Sequence, residues 1–277
     1  MYRLMLSDLD ETLLVNNHVP IENIKAIKAG RTNGLKFVPA TGRAYYMIPD
    51  ILREIESYDI ENEYSICFNG ALIVENKNHK ILCFKGLNFD KTKEIFNIGA
   101  TYAVCVLIFT LDMCYIFNAD PEEVNRKMMQ NSPFKVMDTY DMDFLKGEKI
   151  AKILFQKRDM KYLKQIEKEI GEEKQNKVSI SYSSNRYLEF NDLGVNKGAA
   201  LQWLANYLGV NMENTIAIGD NYNDVEMIKA AALGVAVNCA ADDIKEIADY
   251  VTTYNYDQGA VKEVIEKFVL EEIKSGV

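Results

Sequence analysis

Leu4-Met5-Leu6-Ser7-Asp8-Leu9-Asp10-Glu11-Thr12 opens the chain with an apolar run that ends in two aspartates and a hydroxyl. The run reads as a buried strand. Two carboxylates two residues apart at its end are costly to hold unless a cation neutralises them or one carries a proton. Packing alone gives no reason to put them there, but an Asp-x-Asp-x-Thr string by itself is a weak signal. It gains weight from three further polar stretches downstream.

Strand and helix patterns alternate after it: a helix over 21–29, a strand at 35–39, a helix over 46–55 and a strand at 64–68. This β-α-β-α-β order predicts a doubly wound, mainly parallel, Rossmann-like sheet with helices on both faces. Asn69-Gly70 is a turn signal, and 72–74 with 81–84 reads as a hairpin. The texture changes after Phe84. Strand-like runs at 102–111 and 114–117, a helix from Pro121, a strand at 152–155, a helix over 159–170 and a strand at 178–182 form a mixed antiparallel pattern. The parallel pattern then resumes with a helix over 197–208, a strand at 215–218, a helix over 224–231, strands at 235–237 and 250–251 with a helix over 243–247 between them, and a final helix from Gln258. The reading is a core of 1–84 plus 188–277, interrupted by an inserted α/β domain over 85–187.

The chain has 277 residues, 48% of them hydrophobic, and a net charge of −9, which argues against a nucleic-acid partner gripped by its phosphates. From Lys85 to Tyr187 there are 17 basic and 15 acidic residues; the remainder holds 15 and 26. Solvated helix faces are the plainer reading of that imbalance. The sharper reading is an acidic core that binds a cation beside a more basic insertion that meets an anion. Five scattered cysteines without Cys-x-x-Cys spacing fit thiols in a reducing compartment. With no signal segment and no apolar stretch near the ~20 residues of a spanning helix, the expectation is a cytoplasmic protein without a membrane partner, monomeric or a small homo-oligomer.

In open α/β sheets ligands bind beyond the carboxyl ends of the strands, and four polar stretches sit at such ends or open a helix. Asp8 and Asp10 form the first. Thr41-Gly42-Arg43 offers a hydroxyl and backbone amides to a phosphate. Asn196-Lys197-Gly198 places a Lys in a helix's first turn, where the dipole disfavours it unless an anion is near. Gly219-Asp220-Asn221-Tyr222-Asn223-Asp224 packs carboxylates and amides into a hard oxygen-ligand set suited to Mg²⁺. A helix cap explains only one of its four polar residues.

Taken together, these stretches resemble the four signature elements of the haloacid dehalogenase superfamily, in order and over the whole chain. The Asn69-Gly70-Ala71 turn and the place of the insertion resemble the Cof-type subfamily, whose α/β cap is called type IIB. One departure is Asn238-Cys239-Ala240 after the strand, where Cof-type chains often read Gly-Asn-Ala. The resemblance implies an Mg²⁺-dependent phosphatase for small phosphorylated metabolites such as sugar phosphates or phosphorylated cofactors. It implies Asp8 as nucleophile, Asp10 as general acid and base, and Mg²⁺ held by Asp8, the Asp10 backbone carbonyl and Asp220. Leu9, Thr41, Gly42, Arg43, Lys197 and Asn223 are the implied phosphate contacts, with Asn221 and Asp224 behind them. Two alternatives are a phosphosugar mutase, disfavoured by only three Arg residues in the insertion, and a non-catalytic phosphometabolite-binding regulator, which would have no use for Asp10.

Overall fold

Pro49 divides the helix expected over 46–55. A proline lacks the amide that a helix interior must donate but suits a helix's first position. The chain therefore makes a 3₁₀ turn at Tyr45–Met47 and starts its helix afresh at Pro49. The computed structural model describes residues 1–130, 132–170 and 177–271; the parts of the expected insertion and closing helix at 131, 171–176 and 272–277 lie outside them. The described residues divide into two compact units. One comprises Met1–Gly42, Ile48–Cys83 and the chain from Asn196 onward; the other comprises Arg43–Met47 and Phe84–Val195.

The first unit begins with β1 (Leu4–Ser7), α1 (Ile21–Thr32), β2 (Lys36–Pro39), α2 (Pro49–Glu54), β3 (Tyr64–Cys67), β4 (Leu72–Glu75) and β5 (Lys80–Phe84). In the second unit follow α3 (Phe89–Gly99), β6 (Cys105–Thr110), β7 (Cys114–Phe117), α4 (Pro121–Met129), β8 (Phe134–Val136), β9 (Ile150–Gln156), α5 (Met160–Ile170), β10 (Val178–Ser183) and β11 (Tyr187–Asp192). The chain returns to the first unit with α6 (Lys197–Leu208), β12 (Thr215–Gly219), α7 (Val225–Ala230), β13 (Leu233–Ala236), α8 (Asp242–Ile247), β14 (Tyr250–Val251) and α9 (Ala260–Ile265).

The first unit's main sheet is parallel, in the order β14-β13-β12-β1-β2. Leu4 and Leu6 of β1 and Ala217 of β12 pack against Leu201, Leu204 and Ala205 of α6 and Met227 of α7. Elsewhere in the unit α1 is tied to α9, where the Lys262 amide donates to Asn23 Oδ1 at 3.0 Å. The strand expected at 64–68 as the next parallel member behaves differently. It pairs antiparallel with β4 in a separate three-stranded sheet, β3-β4-β5, and keeps a parallel relation to β2 only at that strand's end, through the bridge from Ala40 to Ile66 and the Thr41 amide donating to the Ile66 carbonyl. The tight turn at Phe68–Gly70 sends the chain straight back along β3, so one edge of that strand is taken by its own hairpin.

The second unit is one sheet in the order β10-β11-β9-β6-β7-β8, antiparallel except for β7 with β8. Its apolar core gathers Ile95 and Phe96 of α3, Leu163 and Ile166 of α5, and Val106, Ile108, Ile153, Phe155, Leu188 and Phe190 of the strands. The boundary expected at 187 falls inside this sheet. Tyr187–Asp192 is buried along nearly its whole length as β11 and pairs with both β9 and β10, so the unit runs on to Val195. α3 and β8 are also additional to the expected pattern. α3 carried a legible signal, a cap at Asn88 whose Oδ1 accepts from the Lys91 amide at 2.8 Å. β8 is three largely exposed residues with no apolar alternation to read.

Candidate active site

Parallel register brings the first, second and fourth polar stretches to one edge of the sheet. Ser7 lies opposite Ile218 of β12 and opposite Pro39 of β2, so the chain leaves three neighbouring strands at the same level. The Asp8 amide continues the ladder to the Ile218 carbonyl at 3.0 Å, and the Ala40 amide donates to the Ser7 carbonyl at 2.8 Å. Asp8, Thr41 and Asp220 thus follow the carboxyl ends of β1, β2 and β12. Leu9 is buried, its carbonyl accepting from the Leu13 and Leu14 amides in the turn that ends the strand.

The third stretch arrives on α6. Asn196 caps the helix by accepting from the Ala199 amide at 2.7 Å, which starts the helical turn at Lys197. The Lys197 side chain is fully buried, and its Nζ lies 2.5 Å from Asp8 Oδ1 and 2.6 Å from Asp224 Oδ1. That answers the sequence expectation of an anion beside this lysine. Burial would depress the ammonium's pKa, but Asp224 and Asp8 more than offset this and raise it.

Asp224 is spoken for on both oxygens. Its Oδ2 accepts from the Asp220 amide at 3.1 Å and the Asn221 amide at 3.0 Å, closing a capping box with Asn221. Gly219 makes room for this: a Cβ there would lie 2.4 Å from Asp224 Cγ. Asn221 therefore acts in the loop's own geometry, and Asp224 locks Lys197 to that loop.

Asp8, Asp220 and Asp224 each offer a carboxylate oxygen within 4.8 Å of one another, and all three are buried. Burial pushes the Asp8 carboxyl up to about 7; Lys197 opposes the shift, and the charges of Asp224 and Asp10 add to it. Burial likewise raises Asp220, with Asp8 and Asp224 adding. Three enclosed carboxylates against one ammonium leave an excess of negative charge that a divalent cation would relieve. With both oxygens of Asp224 already accepting from Lys197 and its own loop, Asp8 and Asp220 are the carboxylates better suited to meet it.

Two contacts were not legible as site features. Thr12 Oγ1 donates to Asp220 Oδ1 at 2.8 Å, joining the first stretch to the fourth across 208 residues. Asn223 Nδ2 donates to Asn69 Oδ1 at 3.1 Å, so a turn residue to which the sequence assigned no site role reaches the site loop. The Asp10 backbone bridges to Leu14 in the loop after β1. Arg43 begins the segment Arg43–Met47, which groups with the second unit, so the four residues of the buried cluster form without it. Asn238, in the loop that departs from the Cof-type pattern, is engaged with the end of the core: its amide donates to Thr252 Oγ1 at 3.0 Å and its side chain to Asn255 at 3.3 Å.

A parallel α/β core with a carboxylate cluster beyond its strand ends, interrupted by a second α/β unit, defines a doubly wound α/β protein with its polar cluster where such sheets bind ligands. The signature of the haloacid dehalogenase-like hydrolases matches residues 5–265, and the chain belongs to that family. It is 28% identical over 263 residues to the 5-amino-6-(5-phospho-D-ribitylamino)uracil phosphatase YcsE of Bacillus subtilis, covering 95% of this chain and 94% of that one. The crystal structure of a haloacid dehalogenase-like hydrolase from Bacteroides thetaiotaomicron superposes with a TM-score of 0.81 at 26% identity, covering 96% of this chain and 99% of that one. The HAD subclass IIB sugar phosphatase BT4131 shares the fold with a TM-score of 0.80 at 20% identity, covering 96% and 98%. Among the described residues no helix is long and apolar enough to cross a membrane.

Proposed function

We propose that this chain is an Mg²⁺-dependent phosphatase that hydrolyses small phosphorylated metabolites through an aspartyl phosphate on Asp8. The observation that carries the reading is the Lys197 ammonium bridging Asp8 and Asp224, with Asp220 beside them. The ammonium aims Asp8 and supplies positive charge where a phosphoryl group would arrive. Phosphatase relatives of nearly the same length support it.

In this mechanism Asp8 attacks phosphorus in line with the leaving oxygen. Asp10 gives that oxygen a proton, then accepts one from the water that cleaves the acyl phosphate. Thr41, Lys197, Asn223 and the amides of Leu9 and Gly42 hold the non-bridging oxygens, with Arg43 flanking the phosphate loop. Asp224 keeps Lys197 in place from behind. Mg²⁺ would be held by Asp8, Asp220 and the Asp10 backbone carbonyl, and when bound it offsets the repulsion between carboxylate and phosphate. The second unit is assigned the choice among metabolites.

Orthophosphate release from an aryl phosphate and from a panel of phosphorylated metabolites tests the reading, with Mg²⁺ present and after exhaustive chelation. Release with Mg²⁺, loss on chelation and no support from Ca²⁺ are the expected results. Undiminished release in excess chelator would overturn the metal assignment, and no release from any phosphate ester would overturn the function.

A further inference from the structure

Asn69 belongs to none of the four polar stretches, yet three of them converge on its turn. Its backbone amide donates to the Thr41 carbonyl at 3.0 Å, while the Thr41 amide donates to the Ile66 carbonyl at 2.9 Å. The phosphate loop is thereby clipped to both sides of the bend that leaves β3. The Asn69 side chain accepts from Asn223 Nδ2 at 3.1 Å, reaching the loop after β12. The next residue, Gly70, is pressed against the third stretch: at φ +104°, an added Cβ would stand 2.4 Å from the Asn196 carbonyl oxygen.

Asn69 itself has φ 59° and ψ 26° and is 3% exposed. Asparagine tolerates the left-handed conformation better than other residues with a Cβ. It also carries an amide oxygen at the right distance to accept from a neighbouring loop. An aspartate would accept equally well but add a fourth buried negative charge near a cluster that already has an excess. Glycine would make the turn and leave the Asn223 amide without this partner.

We propose that Asn69 is a positioning residue for the phosphoryl group, a clasp that sets Thr41 through its backbone and Asn223 through its side chain. The proposal rests on the phosphatase reading above. Its consequence is that Asn69 and Asn223 act as one unit: without the Asn69 amide, Asn223 has lost the bond that orients it, and removing Asn223 as well costs little more.

Inorganic phosphate is the probe, and its Kd is read from the dependence of melting temperature on phosphate concentration in Mg²⁺. The full-length wild type, Asn69→Gly, Asn223→Ala and the double variant make a double-mutant cycle. Asn69→Gly should weaken phosphate about tenfold, the scale of one lost hydrogen bond. Its phosphate-free melting temperature should stay close to wild type, because glycine accepts the left-handed turn. Asn223→Ala should weaken phosphate by a similar factor, and the double variant no more than the weaker single. Should Asn69→Gly not fold, Asn69→Ala enters the same cycle. Unchanged phosphate affinity in the Asn69 variant, or losses that multiply in the double variant, overturns the clasp and leaves the phosphatase reading standing. A wild type that neither binds phosphate nor releases it from an aryl ester overturns both.

Discussion

In the second unit Lys152 lies against Glu189 and Lys127 against Glu123, each pair almost wholly enclosed; in the first, Asp8 and Asp224 share the ammonium of Lys197 with Asp220 beside them. Both regions bury charge, but the second balances it one to one. Glu123 also accepts from the Tyr187 hydroxyl at 2.8 and 2.9 Å, and Glu189 from Ser183. Phe109 faces both lysines. That network is satisfied from within the unit, as a structural ion pair must be. The first unit's cluster is not balanced from within, and the cation proposed above would restore that balance.

The strongest way to break this contrast is Asp8→Asn. Turnover should fall to background, because an amide cannot form the acyl phosphate. The metal-free protein should melt higher, because one of three crowded carboxylates is gone. Near wild-type orthophosphate release from the purified variant would remove Asp8 from the nucleophile's place. Lys152→Met should do the reverse in the second unit. It strands Glu189 in an enclosed site and should cost about 3–5 kcal/mol in denaturant unfolding. Adding Glu189→Leu should recover most of that loss. If Lys152→Met were neutral, the second unit's pairs would not be balanced structural elements.

Asp10→Asn should slow turnover by about 10² or more for alkyl phosphates, the scale of a lost general acid or base. Aryl phosphates should suffer less, since their leaving groups need little protonation. Equal losses on both would reduce Asp10 to a structural part. The smallest effect is on the pH dependence of stability. Burial lifts the Asp8 carboxyl from 3.8 to about 7 and raises Asp220 as well. A raised carboxyl favours the folded state fully below the ordinary carboxylate range, and that stability is lost as pH rises through about 7. The melting temperature of metal-free wild type, compared with Asp8→Asn, should therefore drop by a few degrees between pH 5 and pH 8. A constant difference across that range would mean that the carboxylates are not in conflict.

Asn69 shows the limit of reading by local pattern. The Asn-Gly pair announces a turn, and it is one, but nothing local says that the turn closes on Thr41 and Asn223. Lys197 shows the opposite: its place in a helix's first turn, taken with the other polar stretches, reads as wanting an anion nearby, and two carboxylates meet it. The additional helix Phe89–Gly99 and strand Tyr187–Asp192 had capping and alternation signals that the change of texture between units obscured.

The sequence by itself determined the α/β class, the parallel core with its insertion, the family, and the four polar stretches, because strand ends, helix starts and residue chemistry are local. Only the tertiary structure decided that Tyr64–Cys67 pairs with its own hairpin and touches the parallel sheet only at the end of Lys36–Pro39, that Asp224 spends both oxygens on Lys197 and its own loop, and that Thr12 and Asn69 stitch the stretches together. Those facts depend on the register of β1 against β12 and on contacts between residues as much as 208 apart. Such pairings are set by packing the whole sheet and its helices at once, and no local periodicity records them.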